Sequence, residues 1–228
     1  MSTQTLPALD NSLYPQTYQQ QTFGSPQSLL MALLTGSVTP DANAFTKQLL
    51  ANDVYQEWIN FSVFGRYLQR NFAAFYRQTE DSFNVDMPAL FRRELMRHAQ
   101  FLPLEQILFV AGNIPKNARQ EKLLTTTVNP ATAVIHAQNL SQRMIVNKQQ
   151  IVLNQIKVAS RQVVGFALRH NKRTSERTRN EVLILDFKDL RLVDEKTVEK
   201  EIIETSRVGA SIDINTDTAA LLRYYELR

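Results

Sequence analysis

The feature that most constrains the fold of this chain is a change in its hydrophobic period near residue 104. Between residues 53 and 77, large apolar side chains recur every three or four positions, which is the pattern of one buried helix face. After residue 104 the apolar residues instead form short runs that are typical of strands. A chain that is helical first and mostly strand later, with strands following one another directly, predicts an α+β fold with mostly antiparallel pairing.

Local signals place the boundaries of these elements. Asp53 is suited to cap the first helix, because Gln56 stands where a capping box needs it. Pro130 fits the first turn of a later helix capped by Asn129 or Thr127. Helices are therefore predicted at about 53–77, 88–100 and 130–142, and strands at 107–110, 123–127, 151–158, 163–168, 181–185, 190–193, 198–205 and 221–227.

Residues 1–45 lack a sustained period and are predicted to form an extended polar arm. Prolines at positions 7, 15, 26 and 40 and a run of glutamines at 19–21 interrupt this stretch, in which only residues 28–34 look like a short apolar helix. Such an arm either packs on its own domain or is held by a larger assembly, and we expect it to bind protein partners. The remaining residues, 46–228, are expected to form one domain with a helical part at 46–103 and a β-rich core at 104–228.

Composition excludes several classes of protein. Of the 228 residues, 43% are apolar and 21% are charged, which is enough for a globular core. The sequence has no cysteine, which excludes disulfides, thiolate zinc sites and cysteine nucleophiles. No apolar run reaches the roughly 20 residues of a membrane span and no signal peptide is recognisable, so a cytoplasmic or virion-associated location is expected. Glycine-rich phosphate loops and a nucleophile elbow are missing from the sequence, and the three histidines are too dispersed to predict a metal site.

One stretch concentrates positive charge in a chain whose net charge is only +4. Its cations, which fall within eleven residues, are Arg169, Lys172, Arg173, Arg177 and Arg179. The run fits a solvated loop between strands, and it also fits a contact with nucleic acid or another acidic partner. Aromatic residues that would stack on single-stranded bases do not alternate with these cations, so the solvated loop is favoured.

Two separate stretches of the sequence together suggest a catalytic site. A strand ending in Thr125, Thr126 and Thr127 leads into Val-Asn-Pro and a helix with several alanines. Further on, a polar loop leads into a strand that opens with Glu181. Over about residues 50–228 this order resembles the ADP-ribosyltransferase family. The family's pattern is a strand ending Tyr-Arg-Gly, a Ser-Thr-Ser strand followed by a helix, and a Glu-x-Glu entering a later strand.

The resemblance implies a fold and roles for individual residues. The fold would be N-terminal helices followed by a mostly antiparallel two-sheet core, with NAD bound and no metal ion. Cleaving the bond between nicotinamide and ribose builds positive charge on the ribose, and a fixed carboxylate stabilises that charge. Glu181 is the residue implied for this catalytic role. The residues implied to bind NAD or brace its site are Thr125, Thr126, Thr127 and Gly112, with Thr125 and Thr127 on one face of their strand.

Two departures from the family pattern bear on function. Ala111 stands where the arginine of Tyr-Arg-Gly is found, and Arg179 replaces the first glutamate of Glu-x-Glu. Two residues apart on a strand, Arg179 and Glu181 would share a face and form an ion pair. These missing charges favour a degenerate ADP-ribosyltransferase fold that serves as a structural or interaction component of a larger assembly, for which a phage virion is one setting. The alternative is an active mono-ADP-ribosyltransferase or NAD glycohydrolase that uses Glu181 and NAD and modifies a protein acceptor.

Overall fold

A large mixed sheet with helices packed against it forms the body of the computed structural model, which describes residues 4–61, 99–114, 124–143, 150–168, 174–199 and 219–228. The α-helices within these residues are α1 (Leu9–Leu13), α2 (Pro26–Thr35), α3 (Ala42–Ala51), α4 (Asp53–Phe61) and α5 (Pro130–Arg143), and a 3₁₀ helix spans Ser175–Thr178. The strands are β1 (Gln16–Tyr18), β2 (Gln21–Phe23), β3 (Gln100–Phe101), β4 (Ile107–Ala111), β5 (Leu124–Thr127), β6 (Ile151–Val158), β7 (Val164–Ala167), β8 (Glu181–Asp186), β9 (Leu190–Val198) and β10 (Ala220–Leu227).

Eight of these strands form one sheet in the order β3-β7-β8-β5-β4-β6-β10-β9, and β1 and β2 form a separate hairpin. The pairing of β6 with β10 is parallel, and the other neighbouring pairs are antiparallel. The expected mixture of helices and mostly antiparallel strands is therefore confirmed. The pairing between β4 and β5 is short, and its described register is the single pair Phe109 and Thr127. In place of the two-sheet core that was expected, two four-stranded halves join at this point within a single sheet, because β4 bonds to β5 on one side and to β6 on the other.

Residues 4–45 fold onto this sheet, unlike the extended arm that their sequence predicts. The side chains of Leu9, Leu29 and Leu30 are completely shielded from solvent and belong to the same core cluster as the strands. Pro26 stands in the first turn of α2, where it starts the helix instead of breaking it. The prolines therefore mark turns between packed elements, and the apolar residues between them bury enough surface to order the segment.

Side-chain caps fix the starts of the helices that shape the site. Helix α4 begins at Asp53, but its cap is Asn52, whose Oδ1 accepts a hydrogen bond from the Tyr55 backbone N–H at 3.0 Å. The predicted cap at Asp53 was thus one residue too late. Asn129 caps α5, one of the two predicted alternatives, and accepts from the Thr132 backbone N–H at 3.1 Å.

Most of the predicted strands are present, with ends that agree or differ by one residue. Strand β9 is continuous over Leu190–Val198, where two shorter strands were expected. Gln100 lies in β3 and not at the end of a helix. The other parts of predicted elements that fall at 62–77, 88–98 and 200–205 lie outside the described residues.

Candidate functional site

A polar cleft opens between the sheet and α5, at the point where the two halves of the sheet join. Its volume is about 520 Å³, which is within the usual range of small-molecule sites. The lining residues are Phe109, Val110 and Ala111 of β4, Thr125, Thr126 and Thr127 of β5, Thr132, Ala133, His136, Asn139 and Leu140 of α5, and Arg179 and Glu181. Four candidate site residues from two separate stretches of sequence therefore lie around one cleft.

Glu181 and Thr127 are direct neighbours across two strands. Strand β8 pairs with β5 so that Thr127 lies opposite Glu181, and β5 pairs with β4 so that Phe109 lies opposite Thr127. Opposite residues in antiparallel strands have Cβ atoms only about 4.5–5.5 Å apart. Because side chains alternate along a strand, Thr125 shares the face of Thr127.

The hydroxyl groups of β5 hold the backbone on both sides of Glu181. The Thr127 hydroxyl donates to the Arg179 carbonyl oxygen at 2.6 Å, and the Thr126 hydroxyl donates to the Val182 carbonyl oxygen at 2.8 Å. These donors are engaged within the protein, so the contribution of Thr126 and Thr127 is to position the glutamate.

A buried polar network fixes the residue that precedes Glu181. Asn180 has a φ of +46°, in the left-handed region that asparagine tolerates better than most residues. Its Oδ1 accepts from the Thr46 hydroxyl at 2.7 Å and from Asn129 Nδ2 at 2.9 Å, and its Nδ2 donates to the Tyr55 hydroxyl oxygen at 3.1 Å. Burial raises the pKa of Tyr55 to about 12, so that hydroxyl stays protonated. Helices α3, α4 and α5 are thereby tied to the start of β8.

Arg179 and Glu181 form the predicted ion pair. Arg179 Nη1 lies 3.5 Å from Glu181 Oε1, with the two side chains 39% and 14% exposed. The strand alternation that suggested the pair is not its cause, because β8 begins only at Glu181. Arg179 is helical and Asn180 left-handed, and this turn directs the guanidinium toward the carboxylate.

Helix α5 contributes a histidine that sequence analysis considered only as a metal ligand. Burial lowers the pKa of His136, the positive charge of Arg179 lowers it further, and Glu181 opposes this shift. The imidazole is therefore neutral at neutral pH and is able to accept a proton. The spacing of positions 132, 136 and 139 along one helix face was the signal in the sequence that could have located it.

Gly112 lies beside the cleft and is not one of its lining residues. Its φ is +77°, and an added Cβ would stand 3.0 Å from Leu140 Cδ1. The absence of a side chain lets Leu140 approach the end of β4, so the contribution of Gly112 is to the shape of the cleft. Ala111, where the resemblance would place an arginine, lines the cleft without a charge.

Two cations of the basic run are described, and both contact their own protein. Arg179 pairs with Glu181, and Arg177 Nη2 donates to Asn43 Oδ1 at 3.0 Å. The other three, Arg169, Lys172 and Arg173, lie outside the described residues. A contact of this run with nucleic acid or an acidic partner stays a prediction.

In the part of the chain that the structure describes, no group of three His, Cys, Asp or Glu side chains is placed to hold a metal ion. No helix in that part is long and apolar enough to cross a membrane. Comparison with models of known protein families, with curated proteins and with solved structures finds no match to this chain.

Proposed function

We propose that the cleft binds NAD and that the chain is an ADP-ribosyltransferase-type protein in which Glu181 promotes the release of nicotinamide. ADP-ribose then passes to a protein acceptor or to water. The observation that carries this proposal is that Thr125, Thr126, Thr127 and Glu181 line one cleft. The resemblance implies a shared site for the hydroxyl strand and the glutamate, and the pairing of Thr127 with Glu181 supports it.

Glu181 is placed to act on the ribose. Its side chain is largely shielded, and its backbone is held by Thr126, Thr127 and the buried Asn180. A carboxylate fixed in a partly dry cleft stabilises positive charge that develops on a ribose without having to reorganise. NAD supplies nicotinamide as the leaving group when it is bound.

The other polar side chains fit the rest of such a substrate. A guanidinium binds two phosphate oxygens through parallel hydrogen bonds, and Arg179 brings this group to the cleft that Ala111 leaves uncharged on β4. The neutral imidazole of His136 is able to take the proton of water or of a protein nucleophile as it attacks the ribose. The cleft therefore offers a cation for the phosphates, a carboxylate for the ribose and a base for the attacking group.

A non-catalytic form of the same cleft is the second candidate, and the Arg179–Glu181 ion pair favours it. The guanidinium lies 3.5 Å from the carboxylate on which the chemistry depends and competes with the ribose for it. In that case the protein would act as a structural or interaction component of an assembly. Because residues 4–45 pack into the core, partners would contact a folded surface of that region and not an extended arm.

An assay with labelled NAD tests the proposal. Nicotinamide release and label transfer are measured with and without a protein mixture as acceptor. We expect Glu181→Gln to lower release by about 100-fold or more, because it removes the charge that stabilises the transition state. Glu195→Gln is the matched control, since Glu195 also pairs with an arginine, Arg223, at 2.6 Å, but on edge strand β9. It should retain the wild-type rate.

The possible outcomes separate the two candidates. Equal nicotinamide release by wild type and Glu181→Gln would contradict a catalytic Glu181. NAD binding without turnover, persisting when Arg179→Gln removes the ion pair, would establish the non-catalytic form. Absence of NAD binding by calorimetry in the folded wild type and in Arg179→Gln would overturn the assignment of the cleft to NAD.

A further inference from the structure

A second cavity, which the proposed function does not use, lies among α3, α4 and the 3₁₀ helix. Its volume is about 340 Å³, at the small end of the range for ligand sites. Neither Arg179 nor Glu181 lines it, so it is separate from the cleft.

Two cations, Lys47 and Arg177, line this cavity on the side of α3. Arg177 Nη2 donates to Asn43 Oδ1 at 3.0 Å, which holds the guanidinium beside the start of α3. Lys47 lies one helical turn after Asn43 and therefore on the same face of α3. No carboxylate is found among the described residues that line the cavity. Two cations on neighbouring parts of the lining are suited to a single anionic group that both contact.

Three of the other lining residues form an apolar patch, next to the polar side chains of Thr46, Gln56 and Asn180. Ile59 and Leu168 are buried, and Leu50, which is 38% exposed, forms the rim. Leu50 follows Lys47 by three positions on α3, so the wall passes from charged to apolar along one helix face. A cavity lined by two cations and by an apolar patch suits a ligand that carries an anionic group on an apolar body.

We propose that this cavity binds a small molecule that carries one anionic group, a carboxylate, sulfonate or phosphate, on an apolar body. The anion lies between Lys47 and Arg177, and the apolar body lies against Leu50, Ile59 and Leu168. The site does not depend on the proposed NAD chemistry, and its occupancy is measurable in a protein without any turnover.

Calorimetry with naphthalene-1-sulfonate tests the proposal, with naphthalene-1-sulfonamide as the uncharged comparison. We expect the sulfonate to bind wild type, and the double variant Lys47→Ala/Arg177→Ala to weaken it by about tenfold or more. The sulfonamide should bind wild type more weakly and should not respond to the double variant. Lys157→Ala is the matched control, because Lys157 is a surface cation that pairs with Glu105 outside the cavity. It should leave the affinity for the sulfonate unchanged.

A second variant tests the apolar patch without removing charge. Leu50→Trp places a larger side chain at the rim and should abolish binding of both probes while circular dichroism shows a folded protein. Glu181→Gln should bind the sulfonate as wild type does, and a loss there would place the probe in the cleft and overturn the proposal. Equal affinity of wild type and the double variant for the sulfonate would also overturn the proposal. The same holds if wild type binds the two probes equally well, or does not bind the sulfonate at millimolar concentration.

Discussion

At the scale of single residues, Asn180 is the position on which the geometry of the cleft depends most. It combines a left-handed backbone with a buried side chain that makes three hydrogen bonds to residues from three other elements. Mutation separates the two properties. Glycine adopts the left-handed backbone readily but lacks the amide side chain, whereas alanine lacks the side chain and also strains the backbone.

Two substitutions of Asn180 should therefore lower the free energy of unfolding by different amounts. We expect Asn180→Ala to reduce the free energy of unfolding by about 3–4 kcal/mol, because it leaves buried partners unsatisfied and keeps the backbone strain. Asn180→Gly should be about 1 kcal/mol less damaging, since it relieves the strain alone. Urea denaturation measures both. If the two variants are equally stable, alanine at position 180 does not strain the backbone. If both lose less than about 1 kcal/mol, the buried hydrogen bonds of Asn180 do not stabilise the fold as described.

Asp10 should make the stability of the fold depend on pH. Burial raises the pKa of its carboxyl group from 3.8 to about 6, although hydrogen bonds from the Ile107 backbone and the Gln106 amide lower it. The folded state then holds the proton more tightly than the unfolded state does. The contribution of Asp10 to stability is fully present below about pH 4 and is lost as the pH rises through 6, by about 3 kcal/mol for a pKa difference of about two.

The variant Asp10→Asn removes this titration and should flatten the stability profile between pH 4 and 7 in urea denaturation. Asp194→Asn, at an exposed position of β9, is the control and should keep the wild-type slope. If Asp10→Asn and wild type lose stability in parallel over this range, another group is responsible.

At the scale of elements, the contact of β7 with β8 depends on a glycine. A Cβ added at Gly165 would lie 2.5 Å from the Leu183 carbonyl oxygen, where the register of the two strands also shifts. We expect Gly165→Ala to lower the free energy of unfolding by about 2 kcal/mol or more, because backbone and not a movable side chain would have to give way. Gly24→Ala is the matched control, because among the described residues no atom beyond its chain neighbours lies within 4 Å of the added Cβ, and it should stay within about 0.5 kcal/mol of wild type. Thermal denaturation that gives both variants the same midpoint would contradict this account.

The strands could be predicted largely because their signals are local. Runs such as 107–110 and 151–158 are apolar and β-branched and end at polar or glycine residues. The sequence predicts two strands in place of β9, because Asp194, Glu195 and Lys196 interrupt its apolar pattern. It lies at the edge of the sheet, where such charges are tolerated and discourage pairing with other chains.

The site could be predicted only in part, because many of its contacts join residues that are far apart in the sequence. The hydroxyl strand and Glu181 were recognisable from residue type and order. The hydrogen bond between Thr46 and Asn180 spans 134 positions, and no local pattern reports a contact at that distance. His136 was visible on a helix face, but its role depends on Arg179 and Glu181, which the fold brings to it.

At the scale of the whole molecule, the N-terminal residues and the sheet share one hydrophobic core. Trp58 is the single tryptophan of the chain, and its Nε1–H donates to the Pro7 carbonyl oxygen at 2.8 Å. Its fluorescence is therefore sensitive to the packing of the N-terminal residues. Deleting residues 1–45 would remove core side chains and unfold the domain, so partner binding by this region needs surface substitutions as its test.

Truncating a core leucine in this region should destabilise the whole domain. We expect Leu29→Ala, at a fully buried position of α2, to lower the free energy of unfolding by about 2–5 kcal/mol. Trp58 fluorescence and circular dichroism should report the same urea midpoint, because one core unfolds as a unit. Leu104→Ala, at a position that is 39% exposed, is the control and should change stability by less than about 1 kcal/mol. Separate midpoints for the two signals would show that the N-terminal residues unfold by themselves.

The position of β10 has a consequence for the order of events during translation. This strand lies between β6 and β9, and β9 has no other neighbour among the described strands of the sheet. Residues 151–158 and 190–198 are synthesised before residues 220–227, so for that interval the nascent chain carries one open strand edge and one unpaired strand. Exposed edges of this kind bind chaperones or pair wrongly. These strands of the sheet therefore find their partner only after β10 has been synthesised, and until then they are open to wrong pairing and aggregation.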